Sequence, residues 1–202
     1  MKKINSAEHS GINIFFRFQI IVGLLTFVIL SGCTPATLNY RLDPDVGDLQ
    51  SLAGQAKQIA FMVVDKRTDQ TQASTDSLIF VAGPDNEAAA LKRKIIDSLM
   101  KNNFKIISNP LLADLSIELT IEQLNAQVEK SMFKSNVKVT SHLRVKAKKQ
   151  ENSFERLYKS NRSQEVANPA NETDVTGVVN QLLSQQLGQI FADPELVKLA
   201  NN

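Results

Sequence analysis

Apolar and polar residues alternate most cleanly in the middle of the chain. Leu115, Ile117, Leu119 and Ile121 are interleaved with Ser116, Glu118, Thr120 and Glu122. A period of two predicts a strand with one buried face and one acidic face. Past Gln123 the parity flips to Leu124, Ala126 and Val128, which predicts a bulge or a break. Val137, Val139, Leu143, Val145 and Ala147 then form an inward set, with Lys138, His142, Arg144, Lys146 and Lys148 outward. After a turn at Lys149-Gln150-Glu151-Asn152, Phe154 to Glu165 returns as a polar strand. The three strands read as an antiparallel meander with one wet face.

Other segments carry different periods. Ile59-Ala60-Phe61-Met62-Val63-Val64 is a continuous apolar run, predicting a central strand covered on both sides. Ser77 to Ala82 is a second short strand, closed by Gly83-Pro84. Ala88, Leu91, Ile95 and Leu99 recur at helical spacing, with Asp85 placed as N-cap, Lys101 in the last turn and Asn102-Asn103 as a left-handed stop. Phe104 to Ile107 is a short strand. Asn168-Pro169 breaks the pattern. Val175, Val178, Val179, Leu182, Leu183, Leu187 and Ile190 mark an amphipathic helix whose remaining face is rich in Gln, Asn and Ser. Asp193-Pro194 caps and opens a short last helix. The order is ββαβ, then meander, then helix. That order predicts an α+β domain: a single mixed, mainly antiparallel sheet with helices packed on one face.

The first 32 residues have another character. A basic start containing Lys2, Lys3 and Arg17 leads into the apolar stretch Ile20 to Leu30. That stretch suits a signal-peptide core and is short of the roughly 20 residues a spanning helix needs. It ends in Leu30-Ser31-Gly32-Cys33, and Cys33 is the only cysteine of the chain. With no second cysteine there is no disulfide to form. Leu, two small residues and Cys instead resembles the bacterial lipobox, which implies cleavage before Cys33 and a covalent lipid on its sulfur and its freed amine. The expected organisation is therefore 1–32 signal peptide, 33–56 lipidated N-terminus and flexible tether, and 57–202 periplasmic domain. Thr34, rather than Asp, follows the cysteine. By resemblance to sorted lipoproteins this points to the periplasmic face of the outer membrane, with the inner membrane as the alternative.

The loop Asp65-Lys66-Arg67-Thr68-Asp69-Gln70, the polar strand from Tyr158 and the two last helices, taken with the lipobox, resemble the YajG-type bacterial lipoproteins. The likeness runs from about Ile59 to the end of the chain. It implies an envelope lipoprotein and brings no catalytic residues with it.

Charge and candidate chemistry narrow the function classes. Loss of Lys2, Lys3, Arg17 and Glu8 with the signal takes 23 basic and 21 acidic residues to 20 of each. A neutral chain is a poor match for nucleic acid, whose phosphates demand a basic excess. No metal ligand set is expected, because His9 leaves with the signal, Cys33 is acylated and His142 stands alone. No cofactor is expected beyond the lipid on Cys33. Asp65, Arg67, Thr68 and Asp69 form the one cluster with a catalytic flavour; the alternative is a turn in which the carboxylates accept backbone N–H groups and pair with Arg67. Lys138, Arg144, Lys146 and Lys148 offer a basic face to an envelope protein or an anionic lipid or cell-wall surface, unless Glu118 and Glu122 pair with them across the strands. The expected function is a non-catalytic binding or scaffolding module of the envelope, anchored in the membrane by its lipid. The alternatives are a carrier of an apolar or cell-wall-derived ligand in a helix–sheet groove, and a hydrolase using the Asp65–Asp69 loop.

Overall fold

The computed structural model describes residues 41–47, 49, 52, 58–67, 77–80, 84–167 and 169–201. Among them, six strands form one sheet: β1 (Gln58–Asp65), β2 (Ser77–Phe80), β3 (Lys105–Ile106), β4 (Leu115–Lys130), β5 (Lys134–Lys149) and β6 (Asn152–Ala167). Three helices accompany it: α1 (Pro84–Lys101), α2 (Glu172–Phe191) and α3 (Pro194–Asn201). The strand order is β3-β1-β4-β5-β6. β1 runs parallel to β3 and to the first half of β4, while β2 pairs antiparallel with the second half of β4. The α+β sheet with helices on one face is thus the architecture the pattern predicts.

The long meander follows from its alternation. Ile117, Leu119, Val145 and Ala147 are buried on the helix side, and the register pairs Leu119 with Val145 and Ile117 with Ala147. The parity flip is a bulge: the ladder steps from Ile121↔Leu143 to Gln123↔His142, leaving Glu122 as the extra residue. Two long strands can therefore keep one apolar face along their whole length although the sequence changes phase. The turn into β6 is held by Gln150 at a φ of 55°.

α1 ends as its asparagines predict. Asn103 has a φ of 64°. Its N–H donates to Met100 O and that of Phe104 donates to Leu99 O, each at 3.1 Å, which is the paired bonding of a Schellman stop. At the other end the expected cap is displaced. The helix opens at Pro84, whose fixed φ suits a first turn, so Asp85 stands inside the helix and the cap position lies outside the described residues. β1 also departs from expectation. It lies between two strands, but its second face is covered only at its start, where Ala60 is buried, and opens at Met62, which is 44 % exposed.

The segment expected to be a tether shows the largest difference. In its described part, Leu42, Val46, Leu49 and Leu52 are buried with the core. Each buried aliphatic side chain of this size is worth about 1.5–3 kcal/mol, more than enough to hold an irregular strap in place. Polar contacts set its course. Asn180 accepts from Asp43 N at 2.8 Å and donates to Arg41 O at 3.1 Å, and Ser184 accepts from Asp45 N at 2.8 Å. Lys94 of α1 pairs with Asp43. Part of the polar face of α2 thus receives the chain's own N-terminal strap. Gln186, grouped by sequence with that polar face, is instead fully buried and donates to Tyr158 O at 2.9 Å.

Candidate functional site

The loop after β1 was the candidate for chemistry. Lys66 N continues the ladder to Ile121 O, and the chain then turns so that Arg67 folds back on Asp65. Arg67 Nε lies 2.9 Å from Asp65 Oδ1, Nη2 lies 2.6 Å from Oδ2, and the backbone N–H of Arg67 donates to Oδ1 at 3.1 Å. The remaining end of the guanidinium, Nη1, lies 2.6 Å from Glu87 Oε2 in the first turns of α1. Side-chain exposures are 12 % for Arg67, 10 % for Asp65 and 5 % for Glu87. Both arms of the guanidinium fork are therefore spent on carboxylates of the same chain, and the triad ties the end of β1 to α1. Thr68 and Asp69, the other two residues of the expected cluster, lie outside the described residues, as do Leu30, Ser31, Gly32 and Cys33. Glu87 was not singled out by its sequence, since an acidic residue early in a helix is ordinary.

The basic residues of β5 do share the open face of the sheet, but acids are set between them. Arg144 Nε lies 2.5 Å from Glu122 Oε1, and its Nη1 lies 3.1 Å from Glu155 Oε1. The Arg144 hydrogen bond holds the Glu122 carboxyl below the ordinary carboxylate range, and the same contact raises the guanidinium. Lys146 approaches Glu155 at 3.7 Å, and Lys138 pairs with Glu129 at 2.7 Å. Lys148 faces Ser116 across the ladder. The expected cationic face is thus a mixed one, laced by cross-strand pairs that favour the correct register. Glu122 reaches Arg144 because the bulge frees it from the ladder. The opposite-charge partner expected at Glu118 is not formed; that carboxylate accepts from Thr120 Oγ1 at 3.3 Å.

A third cluster was not foreseen. β6 alternates polar residues on both faces, so nothing in its sequence says which side chains turn toward the helices. Arg156 and Tyr158 do. The Tyr158 hydroxyl donates to Asp193 Oδ2 at 2.7 Å, Arg156 bonds the same oxygen, and Arg156 Nη2 lies 2.8 Å from Glu195. Asp193 Oδ1 accepts Glu195 N at 2.9 Å and so caps α3. Burial and the bond to Asp193 push the Tyr158 hydroxyl well above its ordinary value. Burial alone would raise the Asp193 carboxyl, but Tyr158, the backbone N–H groups of Glu195 and Leu196, and Arg156 outweigh it and hold it low. The arrangement is a latch between β6 and the α2–α3 corner.

A cavity of about 420 Å³ lies between the strap and α1, lined by Asp43, Asp45, Lys94, Asp97, Ser98 and Lys101 among others. Among the described residues, no group of three or more His, Cys, Asp and Glu could hold a metal ion, and no helix is long and apolar enough to cross a membrane.

Comparison with known proteins assigns the family. A family model described as "Uncharacterized lipoprotein" matches residues 44–199. The match begins within the strap and takes in every strand described above and all of the helices except the last two residues of α3. No match was found among curated proteins. Among solved structures, the chain is similar to the hypothetical protein CT253 from Chlamydia trachomatis, with 14 % identity over 72 % of this chain and 98 % of that one, at a TM-score of 0.43. It is also similar to the rare lipoprotein B from Shewanella oneidensis (11 % identity, 68 % and 96 % covered, TM-score 0.39). A third is Lipoprotein GNA1162 from Neisseria meningitidis (10 % identity, 66 % and 97 % covered, TM-score 0.34). The chain belongs to the uncharacterized lipoprotein family, which bears out the lipoprotein resemblance read from its sequence.

Proposed function

We propose that this member of the lipoprotein family is acylated at Cys33, sits on the periplasmic face of the outer membrane, and serves as a non-catalytic binding or scaffolding module of the envelope. The observation that carries the binding role is the free side of the sheet. β6 closes the strand order and presents 16 residues of edge beside a face that no helix of the described residues covers. An edge of that length offers a row of backbone donors and acceptors to an added strand. Lys159 and the Glu155–Arg144 pair beside it supply charges that select the partner and keep copies of the chain from pairing at random.

The two rival roles have less support. The hydrolase reading needs Asp65 and Arg67 available to a substrate, and both are committed to the triad with Glu87. The carrier reading needs an apolar space between helices and sheet, whereas the cavity beside the strap is lined by carboxylates and lysines.

Two measurements test the proposal. Cys33→Ala is expected to leave an uncleaved precursor in the inner membrane; a processed mutant in the outer membrane would defeat the anchor. For the binding role, a photo-cross-linker at Lys159 on β6 is compared with one at Lys92 on the exposed side of α1. Envelope adducts from position 159 and none from 92 are expected, and equal yields would defeat the edge as the docking site.

A further inference from the structure

The two most exposed large apolar residues of the meander sit side by side at the tip of the β4–β5 hairpin. Met132 is 83 % and Phe133 85 % exposed. They do not belong to a frayed end. Ser131 N and Oγ bond Lys134 O at 2.9 and 2.6 Å, and the flanking residues Lys130 and Ser135 are paired in the ladder. A turn between two strands of this length has no need of a Met-Phe pair. The usual turn formers would cost less than two large side chains held in water. Lys130 and Lys134 bracket the pair, giving the sequence Lys-Ser-Met-Phe-Lys. Lys134 pairs with Glu165 and Lys138 with Glu129, which leaves the tip with one cation in excess.

The position of the tip relative to the N-terminus supplies the partner. α2 begins just after β6 ends, and Ala167 at that end is the register partner of Lys134. The start of α2 is therefore on the hairpin side. The strap meets Asn180 first, through Arg41 and Asp43, and Ser184 next, through Asp45, so it enters from the hairpin side and runs away from it. Gln186 lies over Ser141, eight residues up β5 from Phe133, and Asn180 is six residues nearer the start of the helix. At the usual rises of strand and helix, Arg41 stands on the order of 20 Å from the level of the tip. Eight chain steps separate Arg41 from Cys33, a reach of at most about 28 Å. A lipid on Cys33 can thus bring the bilayer to the hairpin. The other exposed apolar pair, Leu111 (90 %) and Leu112 (71 %), precedes β4 and lies a strand's length away, about 50 Å.

We infer that Met132 and Phe133 form a second membrane contact, inserting into the headgroup region of the bilayer that holds the Cys33 lipid, with Lys130, the cation left in excess, against anionic headgroups. The inference rests on the anchor reading for the choice of partner. An aromatic beside a flexible apolar side chain, flanked by lysines, is a chemistry that settles at such an interface. The function of the contact is to fix the orientation of the domain, which a short tether restricts but does not set.

The chain contains no tryptophan, so one reporter at a time can be introduced without background. Phe133→Trp and, as the control at the far end, Leu111→Trp are made in the full chain. Each protein is purified from membranes and reconstituted in vesicles of phosphatidylethanolamine and phosphatidylglycerol. The mass of the mature N-terminus is measured on the same sample. The expected result is blue-shifted emission at position 133 that loses most of its intensity to bromine-labelled acyl chains, with position 111 quenched by acrylamide and indifferent to bromine. Equal, water-like emission from both reporters on an acylated chain overturns the inference and leaves the anchor intact. A blue shift at 133 insensitive to bromine, with cross-linked dimers, also overturns it by showing that the tip meets protein. An N-terminus without acyl mass defeats the anchor instead, and the same reporter on vesicles added to that chain still decides the tip.

Discussion

Replacement of Arg67 by methionine is the sharpest test of what the loop after β1 does. Methionine keeps the apolar stem and removes the charge, so Asp65 and Glu87 are left facing one another at 10 % and 5 % exposure with nothing between them. Removing one partner of a buried ion pair costs about 3–5 kcal/mol, because the charges left behind were desolvated for a partner now missing. With a urea m-value of about 2 kcal/mol per molar, usual for small domains, the midpoint is expected to fall by about 1.5–2.5 M at pH 7. The triple replacement Asp65→Asn, Arg67→Met and Glu87→Gln is expected to cost less than Arg67→Met alone, since it leaves no buried charge unpaired. Equilibrium unfolding followed by circular dichroism gives both numbers. A midpoint change below about 0.5 M for Arg67→Met, with unchanged slope, would refute the structural reading and return the loop to candidacy as a ligand site.

Two further predictions concern elements that position β6 and the helices. Asn171 and Asp174 cap α2 reciprocally, each side chain taking the other's backbone N–H at 3.0 Å, so Asn171→Ala is expected to cost about 0.5–2 kcal/mol by urea unfolding. At the latch the pH dependence has two signs. Tyr158 has its folded value raised, so its contribution is complete below the ordinary tyrosine range and is lost as pH climbs through and beyond it. Asp193 has its folded value lowered, so its contribution is complete above the ordinary carboxylate range near 3.8 and disappears as pH falls below it. In an ultraviolet titration, one of the two tyrosines of the chain is expected to ionise late, and Tyr158→Phe to abolish that late step. A late step that survives the substitution would place it on Tyr40 and dismiss the latch.

Much of the fold was legible because burial is one-sided. Where a strand faces helices on one side and water on the other, alternation alone gives the face, as in β4 and β5. The flip at Gln123 even located the bulge to within a residue. Legibility failed where polar atoms point inward. β6 has the composition of a solvated strand, and only the register with β5 reveals that Arg156 and Tyr158 share a face with Val145 and Leu143. Gln186 was invisible for the same reason: a buried amide that bonds a strand carbonyl looks in sequence like its exposed neighbours Gln185 and Gln189. The strap failed differently. Leu42, Val46, Leu49 and Leu52 recur every three or four residues, yet Pro44 and Gly47 mask the periodicity, and turn formers read more naturally as tether. The candidate site was half legible. Asp65 and Arg67 were picked out, but the partner that decides their role, Glu87, lies on another element and is joined to them only by the fold.

The strap also changes what an anchor on Cys33 would do mechanically. A free segment from Cys33 to the start of the domain at residue 57 would let the domain stray up to about 80 Å from the bilayer. With Leu42 and Val46 in the core and Asn180 gripping both sides of the backbone near Arg41, no more than eight chain steps, at most about 28 Å, separate Cys33 from the first held residue described. That is less than the length of β4. A domain tethered so closely, and on the hairpin side, cannot present all its surfaces to the membrane equally. Under the proposed anchoring, the far end of the sheet, with Leu111 and Leu112, would lie a strand's length from the hairpin tip and away from the bilayer, with the β6 edge between the two ends. The placement of four leucine and valine side chains in an otherwise irregular segment would thus convert a lipid anchor at Cys33 from a leash into a mount. Under the proposed anchoring, the docking edge and the membrane-facing hairpin would then coexist on one small sheet.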